Sequence, residues 1–381
     1  MKKTVLFLLA AAMVIMCGCE KLSITNYIGT VVEGNSKTPI PDVKVSFTNG
    51  SDVYCSTVTN DKGEFDLTVN FTEVTDDYYF LFEGAPDLPV RTLQVRGKGV
   101  KTYDYNMVAL YTAKSGLFSV SDTRKVRIAM GNLRYQTSTN TWRFADYAWD
   151  IVGQDNSRIA SDYDGWIDLF GWGTSGYDHG ANCYQPWSTS RANSDYMAYG
   201  GYNNLSDMTG RADWGYNAIS NGGNQENLWR TLSKDEWLYL MNRSISGREF
   251  SYNGAYVNGV MGLVLLPDNW ETSNYELHTN GANNNDLDDE CALNKISADE
   301  WNDIFEPAGA VFLPQAGKRI GTEYFPLGNG AGIDSQADIN YWSSTASAWD
   351  AYILTDRRLN SYNTYGTKGY GLSVRLAQDA N

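Results

Sequence analysis

The sequence predicts two folded domains of different class, an N-terminal all-β sandwich and a larger α+β domain. Seven short runs of strand-forming residues, separated by turn signals, lie within residues 26–111. Within residues 118–378 the chain becomes rich in Trp, Gly, Asn and Tyr, and it carries two helix-capping signals. A length of 381 residues is sufficient for two or three domains.

The N-terminus has the composition of an export signal. Lys2 and Lys3 precede an apolar stretch at residues 4–16, which is shorter than the roughly 20 residues that a membrane-spanning helix needs. The stretch ends in Met16-Cys17-Gly18-Cys19 rather than in an A-x-A cleavage pattern. This ending resembles a bacterial lipobox, which implies cleavage before Cys19 and lipidation of that residue.

The lipobox resemblance implies a membrane partner and an envelope location. Cys17 is an alternative acceptor, but the small Gly18 favours Cys19, so residues 1–19 are expected to be leader and lipobox. Acyl chains on this cysteine would anchor the protein to a membrane. Glu20, rather than Asp, follows the cysteine and suggests outer-membrane sorting. We therefore expect an outer-membrane lipoprotein that is displayed at the cell surface.

Charge excludes one large class of partner. The formal net charge is −15 and the sequence pI is about 4.6, whereas nucleic-acid binding requires a basic surface. The same charge disfavours electrostatic docking onto anionic lipid. Aromatic residues make up 13% of the chain, which is typical of filled β cores and of binding faces rich in Tyr and Trp.

Cysteine and histidine are sparse. Beyond the lipobox only Cys55, Cys183 and Cys291 remain, an odd number at spacings that match neither a disulfide framework nor a zinc motif. A single bridge between Cys183 and Cys291 is conceivable in an oxidising compartment. The two histidines, His179 and His278, lie outside any metal or triad motif. We expect no bound metal and no cofactor.

The N-terminal region is predicted to form a series of short strands. Alternation is clearest at residues 43–47, and residues 60–63 (NDKG) form a turn signal between two runs. Seven strands at this spacing predict a small β-sandwich. The predicted strands are residues 28–32, 43–47, 53–58, 65–69, 78–82, 90–95 and 103–108.

Three segments of this region resemble one family. Residues 29–32 (GTVV), 39–45 (PIPDVKV) and 59–65 (TNDKGEF) are similar to the carboxypeptidase-regulatory-like domain, which has a transthyretin-type sandwich. The resemblance implies a hairpin at the last segment and a spacer domain without catalysis. Six residues separate Cys19 from position 26, so this domain is expected close to the membrane.

The second region combines helices with buried strands. Residues 233–236 (SKDE) and 297–300 (SADE) are capping boxes, each followed by apolar residues. Residues 260–266 and 310–313 are apolar enough for buried strands. Gly/Asn-rich loops between them predict an α+β domain.

The order of motifs in the second region resembles a second family. The motifs are residues 125–135 (KVRIAMGNLRY), 169–176 (LFGWGTSG), 229–237 (WRTLSKDEW), 309–314 (GAVFLP), 341–345 (YWSST) and 371–376 (GLSVRL). They are similar to the major-paralogous-domain lipoproteins of Fibrobacter and Bacteroidota. The resemblance implies a C-type-lectin-like fold related to the formylglycine-generating enzyme. Some family members resemble the variable proteins of diversity-generating retroelements, in which the segment between the last two motifs faces the ligand.

Composition agrees with a binding role for residues 347–370. The segment is rich in Tyr, Asn, Ser and Arg, the mixture that binding loops favour. The candidate ligand-binding residues are Ser347, Trp349, Asp350, Tyr352, Asp356, Arg358, Asn360, Tyr362, Asn363, Tyr365, Lys368 and Tyr370. Strand alternation assigns three other residues of the segment, Ala351, Ile353 and Leu359, to the core. Tyr341, Trp342 and Arg375 are predicted to be buried scaffold.

The sequence therefore predicts a cell-envelope protein that binds a protein or glycan ligand without catalysis. One alternative is an adhesin for a fixed glycan or matrix ligand, whose binding would depend on Trp349 or the tyrosines. A second alternative is an enzyme of the formylglycine-generating class, although Cys183 and Cys291 lack that family's catalytic pattern. The acidic run 285–290 lacks the spacing of a calcium loop.

Overall fold

A computed structural model describes the parts of the chain that follow. They are residues 24–32, 39–49, 52–70, 79–83, 91–94, 108–111, 115–207, 209–220, 222, 225–241, 252–271, 275–278, 291–306, 308–326, 339–347, 350–356 and 362–380. The structure is mostly β-sheet with few helices. It divides into two compact units, one within residues 1–110 and the other mainly from residue 111 onward.

Seven strands form the first unit. They are β1 (Ile24–Val32), β2 (Lys44–Thr48), β3 (Val53–Val58), β4 (Glu64–Asn70), β5 (Tyr79–Glu83), β6 (Arg91–Gln94) and β7 (Val108–Tyr111). Six of them overlap predicted runs, and β1 begins four residues before its run at 28–32. The seventh begins at Val108, where the predicted run ends, and residues 103–107 of that prediction lie outside the described residues.

The strands of the first unit form two sheets, in the orders β4–β1–β7 and β3–β2–β5–β6. This arrangement is compatible with the predicted all-β sandwich. Strand β4 alternates between exposed and buried residues along its whole length, as one face covering a core requires. The buried aromatic residues Phe47, Phe80 and Phe82 come from strands of one sheet, and Phe65 comes from the other.

The turn predicted at residues 60–63 has a clear physical basis. The Asn60 side-chain oxygen accepts hydrogen bonds from the Lys62 amide at 2.9 Å and the Glu64 amide at 3.0 Å. Gly63 has a φ of +70°, and a Cβ atom there would lie 2.3 Å from the Val31 carbonyl oxygen. Glycine therefore fits where other residues would be strained and would clash.

The second unit contains many short strands. They are β8 (Phe118–Ser119), β9 (Lys125–Ile128), β10 (Leu133–Gln136), β11 (Thr141–Phe144), β12 (Trp166–Ile167), β13 (Arg230–Thr231), β14 (Tyr252–Val257), β15 (Val260–Leu265), β16 (Lys295–Ile296), β17 (Val311–Pro314), β18 (Lys318–Ile320), β19 (Glu323–Phe325), β20 (Ile339–Ser347), β21 (Asp350–Asp356), β22 (Tyr362–Gly366), β23 (Tyr370–Gly371) and β24 (Leu376–Asp379). The two strands predicted at residues 260–266 and 310–313 correspond to β15 and β17.

Both predicted capping boxes are present at helix starts. Helix α1 (Lys234–Met241) follows Ser233, whose hydroxyl accepts from the Glu236 amide at 3.3 Å while Glu236 accepts from the Ser233 amide at 2.8 Å. Ser297 caps helix α2 (Ala298–Glu300) in the same way. A π-helical turn, Trp301–Phe305, continues α2, and the remaining short helices are 3₁₀ turns at Gly153–Arg158, Asn193–Tyr196 and Trp214–Tyr216.

The C-terminal strand closes the second unit. Strand β24 lies between β13 and β9, and Ala377 is paired with both Arg230 and Ile128. Arg230 then binds Glu236 through two hydrogen bonds of 2.8 Å and also binds Asp379. These ion pairs connect the end of the chain to helix α1.

Tryptophan fills much of the interior of the second unit. Trp172, Trp214, Trp237, Trp301 and Trp342 are at most 1% exposed, so the aromatic richness of the sequence is in large part a property of its core.

The conceivable bridge between Cys183 and Cys291 is absent, since both thiols are free. Cys291 is fully buried in the hydrophobic core with its sulfur 3.6 Å from the Gly262 carbonyl oxygen. Cys183 lies in a loop, where its sulfur contacts an Asp195 carboxylate oxygen at 3.6 Å. Each thiol therefore has its own local partner, and the bridge that the sequence left open is not formed.

Candidate ligand-binding surface

The predicted ligand-binding segment folds mainly as part of a three-stranded antiparallel sheet, β20–β21–β22. The backbone register pairs Ser347 with Asp350 across the first hairpin. It pairs Tyr352 with Tyr365, the next-to-last residue of β22, between the second and third strands. Seven of the twelve candidates lie on this sheet: Ser347, Asp350, Tyr352, Asp356, Tyr362, Asn363 and Tyr365.

Other candidates lie outside these strands. Lys368 is in the turn after β22, and Tyr370 begins β23. Trp349, Arg358 and Asn360 lie outside the described residues, as does Leu359, which was assigned to the core.

The sheet rests on buried scaffold residues, as predicted. Tyr341, Trp342 and Arg375 are all 0% exposed. The Trp342 indole nitrogen donates to the Phe170 carbonyl oxygen at 2.7 Å, and the Trp172 indole nitrogen donates to the Ser343 carbonyl oxygen at 3.0 Å. These reciprocal bonds attach β20 to the segment around residue 171.

One asparagine joins three parts of the candidate surface. The Asn193 side-chain oxygen accepts from the Lys368 amide at 2.7 Å, and its side-chain nitrogen donates to an Asp350 carboxylate oxygen at 3.1 Å. Asn193 thereby fixes the start of β21 and the turn after β22 to a loop far away in sequence. Asn193 is not among the residues predicted from sequence, because nothing in its local sequence signals these long-range contacts.

The loop at residues 193–205 borders the sheet. The Ala346 amide donates to the Asn204 side-chain oxygen at 2.9 Å, and the Leu205 amide donates to the Ser344 carbonyl oxygen at 2.9 Å. Between these attachments and Asn193, Tyr202 is 76% exposed. A large aromatic ring on a loop that hydrogen bonds hold in place can contact a ligand at low entropic cost. Tyr202 was also missed by the sequence analysis.

Lys368 does not face a ligand, which corrects its assignment. Its side chain is 0% exposed, and its ammonium nitrogen donates to the Gly201 carbonyl oxygen at 3.1 Å. The nitrogen also lies 4.5 Å from the centre of the Trp172 ring. Lys368 therefore belongs to the interior that supports the loop carrying Tyr202. Ser347, Asp350 and Tyr370 are partly exposed and remain accessible.

Burial lowers the pKa of Lys368 to about 8, and the Asp350 charge opposes this shift only in part. An unfolded lysine titrates near 10.4, so the unfolded state binds more protons between these two values. We expect the stability of the wild type, relative to Lys368→Met, to rise between pH 8 and pH 10 by up to about 1.4 kcal/mol per pH unit. Urea unfolding at several pH values measures this difference. Parallel pH profiles for the two proteins would contradict it.

The Cys183 thiol is not activated. Burial raises the pKa of the Cys183 thiol, and the Asp195 carboxylate adds to the effect although serine hydroxyls oppose it. A nucleophilic cysteine requires the opposite shift. Among the described residues, no group of three or more His, Cys, Asp and Glu side chains could hold a metal ion.

Comparison with known proteins adds little to this geometry. No family model and no curated protein matches the chain. Among solved structures, it is similar to a mutant of the shaft pilin spaA from Lactobacillus rhamnosus GG, at 13% sequence identity and a TM-score of 0.18. The similarity covers 32% of this chain and 62% of the pilin chain, less than two thirds of the pilin's length. A TM-score this low carries no argument about fold or function.

Proposed function

We propose that this chain is a non-catalytic lipoprotein of the cell envelope whose second unit binds a protein or glycan ligand. The binding face is formed by sheet β20–β21–β22 and the loop that carries Tyr202. The observation that carries the proposal is the bridge from Asn193 to Asp350 and Lys368. It holds a Tyr- and Asn-rich sheet and an exposed aromatic loop in one fixed arrangement, and such preorganisation lowers the entropic cost of binding.

The finer form of the proposal comes from the resemblances. A C-type-lectin-like second domain and a carboxypeptidase-regulatory-like first domain would give a binding module on a spacer. Cys19 would anchor that spacer in the outer membrane. Within the residues that the structure describes, no helix is long and apolar enough to cross a bilayer.

Two observations favour binding over catalysis. The Cys183 thiol has a raised pKa, and Cys291 is sealed in the core away from it. Neither thiol is therefore suited to the copper-dependent oxidation that an enzyme of the formylglycine class would perform, and an assay for that oxidation would reveal such an activity.

The test begins with glycan and matrix-protein arrays that are probed with the full-length protein in detergent. The variant Trp349→Ala/Tyr352→Ala/Tyr362→Ala/Tyr365→Ala should then lose affinity for the captured ligand at least 100-fold, because it removes the rings proposed to make the contact. Its melting temperature should change by less than about 4 °C, the shift that about 1 kcal/mol gives at most for a domain of this size.

A matched control removes aromatic rings elsewhere in the second unit. Tyr177 and Tyr216 are half-buried and their rings are in contact, tilted by 56° with centroids 5.7 Å apart, outside the three-stranded sheet. Tyr177→Ala/Tyr216→Ala should retain binding. Unchanged binding by the fourfold variant, or a large loss of its stability, would remove the sheet from the proposed binding face.

A further inference from the structure

Arg211 differs from the other arginines that the structure describes as exposed. Arg124, Arg158 and Arg191 each have a guanidinium nitrogen 3.9 Å or less from a carboxylate oxygen. Arg211 is exposed as well, yet it forms no ion pair with any described residue. The chain has 45 acidic residues against 30 basic ones, so carboxylates are plentiful. The position in which Arg211 is held therefore keeps it unpaired.

Two tyrosines hold the Arg211 guanidinium. Its central carbon lies 4.9 Å from the centre of the Tyr177 ring and 5.6 Å from the centre of the Tyr216 ring. Its Nη1 donates to the Tyr177 hydroxyl oxygen at 2.8 Å. The remaining guanidinium N–H groups and the Tyr177 hydroxyl proton are donated to no residue that the structure describes. Arg211 and Tyr177 therefore present adjacent hydrogen-bond donors to a ligand.

Hydrogen bonds join the loops that carry these donors. The Ser175 hydroxyl donates to the Arg211 carbonyl oxygen at 2.6 Å, and the Asn217 side-chain nitrogen donates to the Ser175 carbonyl oxygen at 2.8 Å. Asp213, two residues after Arg211, is buried and accepts from the amide and the hydroxyl of Thr231 at 2.9 and 2.8 Å. The backbone of the site is thus fixed before a ligand arrives, which lowers the entropic cost of binding.

The two donors match a carboxylate. We propose that Arg211 and Tyr177 bind the carboxylate of an acidic sugar, a hexuronic acid. An ionised carboxyl group only accepts hydrogen bonds, and those from a guanidinium are roughly twice as strong as neutral ones. One guanidinium balances one carboxylate, whereas a densely sulfated or phosphorylated polymer would be repelled by a chain of net charge −15. The site lies outside sheet β20–β21–β22 and is independent of the ligand-binding face proposed above.

The residues beside the two donors favour a sugar as the carrier of the carboxylate. The exposed His179 ring contacts the Tyr177 ring with centroids 5.6 Å apart, and its Nε2 lies 3.5 Å from an Asp178 carboxylate oxygen. Both side chains can exchange hydrogen bonds with hydroxyl groups. The Asp178 charge also opposes the binding of a carboxylate that offers no hydroxyl groups. A hexuronic acid provides the carboxylate and the hydroxyls on one ring.

The experiment measures ligand binding to the full-length protein in detergent by saturation-transfer-difference NMR, with protein-free micelles as the background. The probes are the methyl glycosides of glucuronic and galacturonic acid. Methyl glucoside and methyl galactoside lack the carboxylate, and acetate lacks the hydroxyl groups. A single exposed charge pair is a weak attachment, so we expect a dissociation constant on the order of 1 mM for at least one uronide.

Arg158 provides a matched control variant. It is exposed and lies 5.0 Å from the centre of the Tyr163 ring, as Arg211 lies over Tyr177, but it has Asp155 as an ion-pair partner. Arg211→Gln should weaken uronide binding by about tenfold or more, because it removes the charged donor. Tyr177→Phe retains the ring and should weaken binding about fivefold. Arg158→Gln should leave the dissociation constant unchanged.

The results can contradict the proposal at each step. The site does not exist if neither uronide binds saturably, if Arg211→Gln binds as the wild type does, or if Arg158→Gln loses as much affinity. Acetate or the neutral glycosides binding as tightly as the uronide would exclude an acidic sugar as the ligand. Arg211 is exposed, so Arg211→Gln should keep the wild-type melting temperature. The sheet plays no part in these measurements, so this proposal and the proposed function fail separately.

Discussion

Replacing Arg375 by methionine should destabilise the second unit by about 3–5 kcal/mol. The guanidinium is fully buried and donates to the Ala129 carbonyl oxygen at 2.9 Å and to the Asn132 side-chain oxygen and the Phe312 carbonyl oxygen at 2.7 Å each. Methionine fills a similar volume but leaves all three acceptors buried without this donor. An unsatisfied buried acceptor costs about 1–3 kcal/mol. The Asn132 oxygen still accepts from the Tyr341 hydroxyl at 2.9 Å, so the Ala129 and Phe312 carbonyl oxygens account for most of the expected loss.

An opposing effect has to be weighed, because removing a buried charge also relieves its desolvation. Burial lowers the pKa of Arg375, although the Tyr341 hydroxyl opposes that shift. The guanidinium is nevertheless satisfied on two of its three nitrogens, and it joins residues 129–132 to Phe312. We therefore expect the loss of hydrogen bonds to dominate.

The variant Arg375→Lys separates the contribution of the positive charge to stability from that of the guanidinium geometry. Lysine keeps the charge, but its compact ammonium cannot present the planar fork that reaches three separate acceptors. We expect a loss between those of wild type and methionine. Urea unfolding followed by tryptophan fluorescence reports on this unit alone, since all 12 tryptophans lie between Trp142 and Trp349. A lysine variant as stable as the wild type would show that the charge matters and the fork does not.

Local chemistry was enough to predict several elements from sequence. The alternation at residues 43–47 predicted strand β2, in which Val45 and Phe47 are buried in the core and Ser46 is buried as well. Asn60 and Gly63 predicted a turn because one supplies side-chain hydrogen bonds and the other tolerates a positive φ. Ser297 and Glu300 predicted a helix start because each can satisfy the other's free backbone amide. The hydrogen bonds of the turn and of the helix cap join residues at most four positions apart.

The candidate surface could be predicted only in part, because its contacts join residues that are far apart in sequence. Lys368 was assigned to the ligand-facing surface on composition, yet its ammonium bonds to a carbonyl 167 residues away and its amide bonds to Asn193, 175 residues away. A lysine is buried only when such partners surround it, and the local sequence does not predict these partners. The same reason explains why Asn193 and Tyr202 were missed.

Replacing Trp342 by alanine should cost the second unit about 3–5 kcal/mol. Its ring is fully buried, and its indole nitrogen donates to the Phe170 carbonyl oxygen at 2.7 Å. Its backbone amide donates to the Ser373 carbonyl oxygen at 3.0 Å, so the residue also attaches strand β20 to the C-terminal segment. Alanine leaves a cavity where β20 supports the proposed binding face, and ligand affinity should fall together with stability.

The variant Trp342→Phe shows how much of this loss in stability comes from the hydrogen bond and how much from the ring volume. Phenylalanine retains most of the buried ring but cannot donate to the Phe170 carbonyl oxygen, and we expect a cost of about 1–3 kcal/mol for that orphaned acceptor. The reciprocal variant, Trp172→Phe, removes the bond to the Ser343 carbonyl oxygen and should cost a similar amount. Because the two bonds attach the same strand to the same segment, the double variant should lose less than the sum of the two single losses. Strict additivity in urea unfolding would mean that the two tryptophans act independently, and that β20 is held to the segment around residue 171 by its backbone contacts instead.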